Sequence, residues 1–310
     1  MMHKTALLFA GQGAQYVGMG KDLAGQFPAA RTWFDSSRQI LGFDLPALCF
    51  QGPEGELTKT ENAQPAIFVM SWVCLQLLKD RLPGFSFGAT AGLSLGELTA
   101  LTAAGVFDFE DGLKIARQRG RFMQEACELT HGGMAAVVGL DLEGVSAACA
   151  EAGVEVANLN CPGQIVISGP ADGIARACQL AKVKGAKRAI ALPVAGAYHS
   201  RLMVSATSKV REMLAATPMN RPVVQVISNV TARPHEGPVE IARRLVEQVT
   251  SPVRWEDSIR YLLGQGFTRF VELGPGTALS GFLKRIEPQA QCFHVADAAS
   301  LETTIKELGS

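Results

Sequence analysis

The sequence predicts an α/β fold, in which a large body with a mainly parallel sheet carries a small inserted α+β subdomain of ferredoxin-like topology. Strand-like and helix-like segments alternate along most of the 310 residues, which is typical of a parallel sheet covered by helices. Between about residues 132 and 193 the order becomes strand, helix, two strands, helix and strand, as in a ferredoxin-like unit. The predicted domains are therefore 1–130 with 197–310 for the body and 131–196 for the subdomain.

The first part of the body consists of short apolar segments, each followed by a stretch with helical spacing of its apolar residues. The opening apolar run predicts a strand, and Gly92 ends a second strand just before a new helix. The predicted elements are a strand at 5–9, helices at 35–41 and 66–82, a strand at 85–91, and helices at 97–104 and 108–127.

The inserted unit is centred on a hairpin across Pro162-Gly163, a pair typical of tight turns. The sequence around it predicts a strand at 134–140, a helix at 142–151, hairpin strands at 154–160 and 164–168, a helix at 171–184 and a strand at 188–192. The body then resumes with a helix at 200–216, a strand at 223–228, a helix at 239–249 and a strand at 269–272.

Composition excludes several classes of partner. The chain has 29 basic and 29 acidic residues, so no overall charge attracts nucleic acid or an anionic membrane, and an anionic ligand needs a locally placed cation. The longest apolar run, 66–78, is too short to span a bilayer. We therefore expect neither a nucleic-acid nor a membrane partner, and we read no targeting segment at the start.

Seven cysteines are spread along the chain, an odd number with no C-x-x-C pair. This pattern argues against a disulfide framework and against a zinc site. It favours a reducing compartment, so we expect a cytoplasmic protein that holds no metal.

A candidate nucleophile lies in the segment TAGLSLGE at 90–97, which contains G-x-S-x-G between a predicted strand and a predicted helix. A sharp strand-to-helix turn around Ser94 leaves no room for side chains at Gly92 and Gly96. Such an elbow exposes the serine hydroxyl and aims the N–H of Leu95, at the positive end of the helix, at a developing oxyanion. By pattern alone, a serine in a glycine-rich helix cap remains an equal alternative.

Further segments match one family in the same order. They are LFAGQGAQ at 8–15, RQRGRFMQ at 117–124, NLNCPGQ at 158–164, GAYHS at 196–200, and QVTSPVRW at 248–255 followed by ELGPG at 272–276. With the elbow, these motifs make the chain resemble the malonyl-CoA:acyl carrier protein transacylase family over nearly its whole length.

The resemblance implies an α/β-hydrolase-like body and the transfer of malonyl from malonyl-CoA to the phosphopantetheine thiol of acyl carrier protein. It further implies a malonyl-serine intermediate, a role in fatty acid synthesis, no bound cofactor and a monomeric protein. Three alternatives stay open: an acyltransferase of a polyketide pathway or malonate decarboxylase system, a serine hydrolase, and a catalytically silent scaffold.

His199 is the expected general base, because an unassisted serine hydroxyl is barely nucleophilic at neutral pH. The alternative is a buried histidine that caps the helix starting near Ser200. The remaining histidines match no motif and are read as solvated or structural: His3, His131, His235 and His294.

The resemblance assigns three more residues. The main-chain carbonyl near Gln248 would orient the histidine in place of a carboxylate, and the backbone N–H of Gln12 would be the second oxyanion donor. Arg119 would bind the malonyl carboxylate, since a guanidinium stays charged and can form two parallel hydrogen bonds with a carboxylate. Two positions depart from the family, Leu93 for histidine and Tyr198 for phenylalanine, and they leave acyl-chain selectivity open.

Overall fold

A computed structural model describes residues 4–309, and two sheets organise them. The strands, in chain order, are β1 (Lys4–Phe9), β2 (Ala89–Gly92), β3 (Gly132–Val138), β4 (Glu155–Cys161), β5 (Gln164–Pro170), β6 (Arg188–Ala191), β7 (Gln225–Ile227), β8 (Phe267–Leu273) and β9 (Gln291–Val295).

Fourteen α-helices are found among these described residues. They are α1 (Lys21–Gln26), α2 (Pro28–Leu41), α3 (Leu45–Gln51), α4 (Glu54–Thr58), α5 (Thr60–Arg81), α6 (Gly96–Ala103), α7 (Phe109–Leu129), α8 (Leu142–Ala152), α9 (Ala171–Val183), α10 (Val204–Ala215), α11 (Pro238–Gln248), α12 (Trp255–Gly264), α13 (Ala278–Ile286) and α14 (Ala298–Gly309). None of the helices between residues 4 and 309 is both long and apolar enough to cross a membrane.

The body contains a five-stranded sheet in the order β7-β2-β1-β8-β9, and every neighbouring pair is parallel. Its central strand β1 is buried on both faces, as in sheets covered by helices on each side. Leu7 and Phe9 pack into one apolar core, whereas Ala6 and Leu8 pack into another on the opposite face. The α/β body predicted from the alternating segments is confirmed.

The subdomain has an antiparallel sheet in the order β4-β5-β3-β6 with α8 and α9 packed on it. Strands β4 and β5 form a hairpin, β5 pairs with β3, and β3 pairs with β6. This is the ferredoxin-like order. Its apolar side chains form a core of their own, so the predicted insertion is confirmed as a fold. The division at 131 and 196 stays a prediction, supported by the limits of this sheet.

Some elements differ from the sequence-based expectation. The strand expected at 85–91 begins only at Ala89, because Phe85 and Phe87 pack against the core from an irregular segment. The helix expected at 200–216 opens with a 3-10 turn at Arg201–Met203, and the Ser200 hydroxyl caps it by accepting from the N–H of Leu202. The helices α12 to α14 and strand β9 were not predicted.

The sheet brings two loops together at its carboxyl edge. Phe9 at the end of β1 pairs with Gly92 at the end of β2, so the loops that follow both strands lie side by side. A Cβ atom on Gly11 would overlap the carbonyl oxygen of Leu93. This close approach sets the loop that contains Gln12 against the turn that contains Ser94.

Candidate active site

Ser94 lies on a strained turn between β2 and α6, with a φ angle of +53°. Gly92 and Gly96 meet here so closely that a Cβ atom on Gly92 would overlap the backbone of Gly96. The N–H of Ser94 donates to Oδ1 of Asn229 over 2.7 Å, which fixes the turn from the side of the β7 loop. A positive φ at a serine costs about 1 to 3 kcal/mol and persists where the surroundings enforce it.

His199 is in contact with the serine hydroxyl. Its Nε2 lies 2.8 Å from Ser94 Oγ, and its Nδ1 lies 2.9 Å from the main-chain oxygen of Gln248. A carbonyl oxygen only accepts hydrogen bonds, so Nδ1 carries the proton and Nε2 has a free lone pair facing the hydroxyl. His199 itself has a φ angle of +58°, a second strained residue at the same point.

The environment keeps this imidazole neutral. Burial, together with the positive charge of Arg119, lowers the pKa of His199 from 6.5 to about 4. At neutral pH the ring is therefore a base with its acceptor nitrogen turned to Ser94. The carbonyl of Gln248 orients the ring without adding a negative charge.

The side chain of Arg119, on α7, also contacts the hydroxyl of Ser94. Only 2% of its surface is exposed, and its Nη2 lies 3.3 Å from Ser94 Oγ. Two amide oxygens accept from its guanidinium, Gln64 Oε1 at 2.7 Å from Nη1 and Gln248 Oε1 at 2.9 Å from Nη2. Burial lowers its pKa to about 10, so it remains a cation at neutral pH.

No carboxylate of residues 4–309 forms an ion pair with Arg119, and its buried Nε has no hydrogen-bond partner there. Buried charges are ordinarily paired. The flanking basic residues differ, since Arg117 pairs with Glu61 and the exposed Arg121 pairs with Glu125. The geometry thus leaves one cation on this helix available to an anionic ligand beside Ser94.

Two backbone N–H groups belong to the adjoining loops that follow β1 and β2. The N–H of Leu95 follows Ser94 at the start of α6, and the N–H of Gln12 belongs to the neighbouring β1 loop. Neither donates to an acceptor within the described part of the chain. Since most buried N–H groups are satisfied, two free donors beside a nucleophile are suited to an oxyanion.

A cavity of about 760 Å³ lies beside Ser94 and His199. Gln12, Ser94 and His199 line it from the body, whereas Asn160 and Leu192 line it from the subdomain. The cavity therefore lies between the two units, with Ser94 in its lining.

The two residues that depart from the family motif also line this cavity. Leu93 is partly buried in the elbow, whereas Tyr198 is buried and its hydroxyl contacts the hydroxyl of Thr60. The side-chain nitrogen of Gln12, Nε2, also donates to the Thr60 hydroxyl over 3.3 Å. The phenol is thus connected to the loop of the predicted oxyanion donor.

The structure therefore gathers all six residues named from the sequence: Gln12, Ser94, Leu95, Arg119, His199 and Gln248. Three further side chains that contact them were missed, Gln64, Glu97 and Asn229. A signal was available, because Glu97 is the single charge in the helix GELTALTA and is completely buried.

Comparisons with known proteins agree with this geometry. Residues 6–309 match the family model of the acyl transferase domain. A malonyl CoA-acyl carrier protein transacylase of Bacillus subtilis is 46% identical over 312 residues, which cover 99% of this chain and 98% of that protein. The protein of that name in Escherichia coli is 41% identical, covering 92% of this chain and 93% of its own.

Solved structures are equally similar. A malonyl-transacylase in complex with a type II polyketide acyl-carrier protein superposes with a TM-score of 0.95 at 37% identity, covering 98% of this chain and 99% of that chain. The malonyl CoA-acyl carrier protein transacylase of Coxiella burnetii has a TM-score of 0.95 at 35% identity, covering 99% and 98%.

Proposed function

Because the chain belongs to the acyl transferase domain family, we propose that it transfers a malonyl group from malonyl-CoA to the phosphopantetheine thiol of an acyl carrier protein. The family resemblance expected from the motifs is confirmed. The reaction passes through a malonyl ester of Ser94, and its product supplies fatty acid synthesis.

The observation that carries this proposal is the guanidinium of Arg119, which forms no ion pair within residues 4–309 and lies 3.3 Å from Ser94 Oγ. Malonyl differs from acetyl by a free carboxylate, and a buried cation beside the nucleophile selects for that group. A general esterase has no use for a buried cation at this point. The guanidinium therefore favours a short diacid as the acyl group.

The first half-reaction uses the dyad of Ser94 and His199. Ser94 Oγ attacks the thioester carbon while its proton passes to Nε2 of His199, which lies 2.8 Å away. The oxyanion that forms is held by the N–H groups of Gln12 and Leu95. When the C–S bond breaks, the imidazolium returns the proton to the leaving thiolate of coenzyme A.

The second half-reaction reverses these steps. After coenzyme A leaves, the carrier's thiol gives its proton to His199 and attacks the ester carbonyl. The bond between the acyl carbon and Ser94 Oγ breaks, and the serine alkoxide recovers the proton from His199. The kinetics are ping-pong, since the enzyme alternates between free serine and malonyl-serine. No step needs a metal or cofactor, and the carbonyl of Gln248 keeps the imidazole tautomer fixed throughout.

Intact-protein mass spectrometry after mixing with malonyl-CoA tests the proposal. We expect a malonyl adduct on the native chain, its absence in Ser94→Ala, and its removal when a carrier protein bearing phosphopantetheine is added. An adduct that persists in Ser94→Ala would refute the assigned nucleophile. Rapid release of free malonate without a carrier would instead indicate a serine hydrolase.

Similarities to two proteins of polyketide pathways favour a polyketide carrier protein as an alternative partner. The solved complex described above holds a type II polyketide carrier protein. A polyketide biosynthesis protein of Burkholderia thailandensis is also 45% identical over 287 residues, which cover 92% of this chain and 24% of that protein. Service to a polyketide carrier is therefore the alternative pathway, and parallel transfer assays with fatty-acid and polyketide carriers separate the two.

We further propose that the protein acts as a cytoplasmic monomer, with neither nucleic acid nor membrane as a partner. The balanced charge supports the absence of polyanionic partners. All seven cysteines are free thiols, which supports a reducing compartment. Sedimentation of the purified chain at several concentrations tests the monomeric state.

A further inference from the structure

A buried ion-pair cluster lies directly behind the candidate active site. Glu97 on α6 and His235, in the segment before α11, both have side chains that are essentially inaccessible to solvent. His235 Nε2 lies 2.7 Å from Glu97 Oε1, and His235 Nδ1 lies 2.8 Å from Glu240 Oε2. The chemistry proposed above uses none of these groups.

Geometry fixes the protonation of His235. Both ring nitrogens face carboxylate oxygens, which only accept hydrogen bonds, so both nitrogens carry protons and the ring is an imidazolium. Burial alone would lower its pKa, but the hydrogen bonds to Glu240 and Glu97 outweigh burial and raise the pKa to about 9. Glu240 is shared with Arg244, at 2.8 Å.

The other oxygen of Glu97 faces the active site. Oε2 accepts from the side-chain nitrogen of Gln248 at 2.6 Å and from the N–H of Asn229 at 3.0 Å. Gln248 presents its Oε1 to Arg119, and Asn229 presents its Oδ1 to the N–H of Ser94. One amide group thus separates the buried carboxylate from the guanidinium.

This arrangement creates a competition. Arg119 has no carboxylate partner among residues 4–309, and Glu97 is the carboxylate whose charge acts on it most strongly. If Glu97 had no cationic partner, its negative charge would attract the guanidinium of Arg119, which a malonyl carboxylate needs as its own partner. His235 neutralises it from the opposite side.

We propose that His235 is a positioning residue for acyl specificity, because its imidazolium balances buried Glu97 and thereby leaves Arg119 free to bind the carboxylate of the acyl group. The inference rests on the proposed malonyl transfer. It assigns to the pair a role beyond folding: the pair controls which acyl group is accepted.

The test measures the ratio of malonyl to acetyl acylation rates of Ser94, from malonyl-CoA and acetyl-CoA, on the full chain. His235→Gln removes the cation that faces Glu97, so we expect the ratio to fall about tenfold. Adding Glu97→Gln to that variant removes the carboxylate. The oxygen of the new amide can still accept from Gln248 and Asn229, and its nitrogen donates to the amide oxygen introduced at position 235, which reverses that one hydrogen bond. We expect the double variant to recover a ratio close to the native one.

Glu240→Gln is the matched control, because it removes the other carboxylate of His235 without touching Gln248 or Asn229. The variant should be less stable than the native chain, but its acylation ratio should match the native ratio. If His235→Gln does not fold, the acylation ratio of the single variant Glu97→Gln tests the inference. This variant lacks the competing carboxylate, so its ratio of malonyl to acetyl acylation should equal or exceed the native ratio.

Three results would overturn the inference: an unchanged ratio in folded His235→Gln, no recovery in the double variant, or a tenfold fall in Glu97→Gln alone. Each leaves malonyl transfer itself intact, because the native chain still forms the adduct. A native chain that forms no malonyl adduct would instead refute the proposed function.

Discussion

Replacing Arg119 by alanine tests the central chemical claim, that one buried guanidinium selects the acyl group. The side chain is 2% exposed and has no carboxylate partner within residues 4–309, so a bound malonyl carboxylate would be its ion-pair partner in a site shielded from water. Truncating one partner of such a pair costs about 2 to 5 kcal/mol. That corresponds to a loss of about 30-fold to about 4,000-fold in kcat/KM for malonyl-CoA.

The assay compares transfer from malonyl-CoA and from acetyl-CoA to a carrier protein. Acetyl has no distal carboxylate, so Arg119→Ala should lower the malonyl rate constant far more than the acetyl one. Arg121→Ala is the control on the same helix, because Arg121 is 66% exposed and its surface pair with Glu125 contributes at most about 1 kcal/mol. An unchanged preference for malonyl in folded Arg119→Ala would refute the reasoning.

Three further predictions follow from the same site. Acylation of Ser94 should persist well below pH 6.5 and fall to half near pH 4, where the buried His199 becomes protonated and can no longer accept a proton; a half-point near 6.5 in a rate–pH profile of folded protein would contradict this. Because the folded pKa of His235 is raised from 6.5 to about 9, its contribution to stability is complete below about pH 6.5 and is lost as the pH rises through about 9; urea midpoints should show this decline in the native chain and not in His235→Gln. Gly92→Ala should destabilise the fold by about 3 kcal/mol or more, since its Cβ overlaps the backbone of Gly96, whereas Gly25→Ala, in open space on α1, should leave the urea midpoint unchanged or higher.

Local sequence signals were sufficient for the elbow and the subdomain. The G-x-S-x-G spacing predicts the turn, because sterics at a strand-to-helix elbow act within five residues, and the structure has that turn at Ser94. The ferredoxin-like order was likewise readable from the succession of strands and helices and from the local hairpin of β4 and β5, although β3 pairs with β5 and β6 from farther along the chain. Predictions of this kind need no knowledge of distant contacts.

Other features depend on long-range packing. Gln64 contacts Arg119 across 55 positions, and Asn229 contacts Ser94 across 135, so neither has a local pattern that reveals its role. Amide side chains are common in loops and helices alike. The missed helix α12 is a different case, because Trp255, Ile259 and Leu262 have helical spacing and are all buried, a signal that the sequence did contain.

The placement of carboxylates explains why the histidine is oriented by a carbonyl. A carboxylate in place of the Gln248 carbonyl would lie close to Arg119, since Gln248 contacts His199 through its main-chain oxygen and Arg119 through its side-chain oxygen. It would pair with the guanidinium and occupy the charge that the acyl carboxylate needs. In this chain Glu97, the carboxylate whose charge acts most strongly on Arg119, is separated from it by the side-chain amide of Gln248 and forms an ion pair with His235. The neutral acceptor and the balanced ion pair therefore serve the same end: they keep the positive charge beside the nucleophile unmatched until a diacid binds.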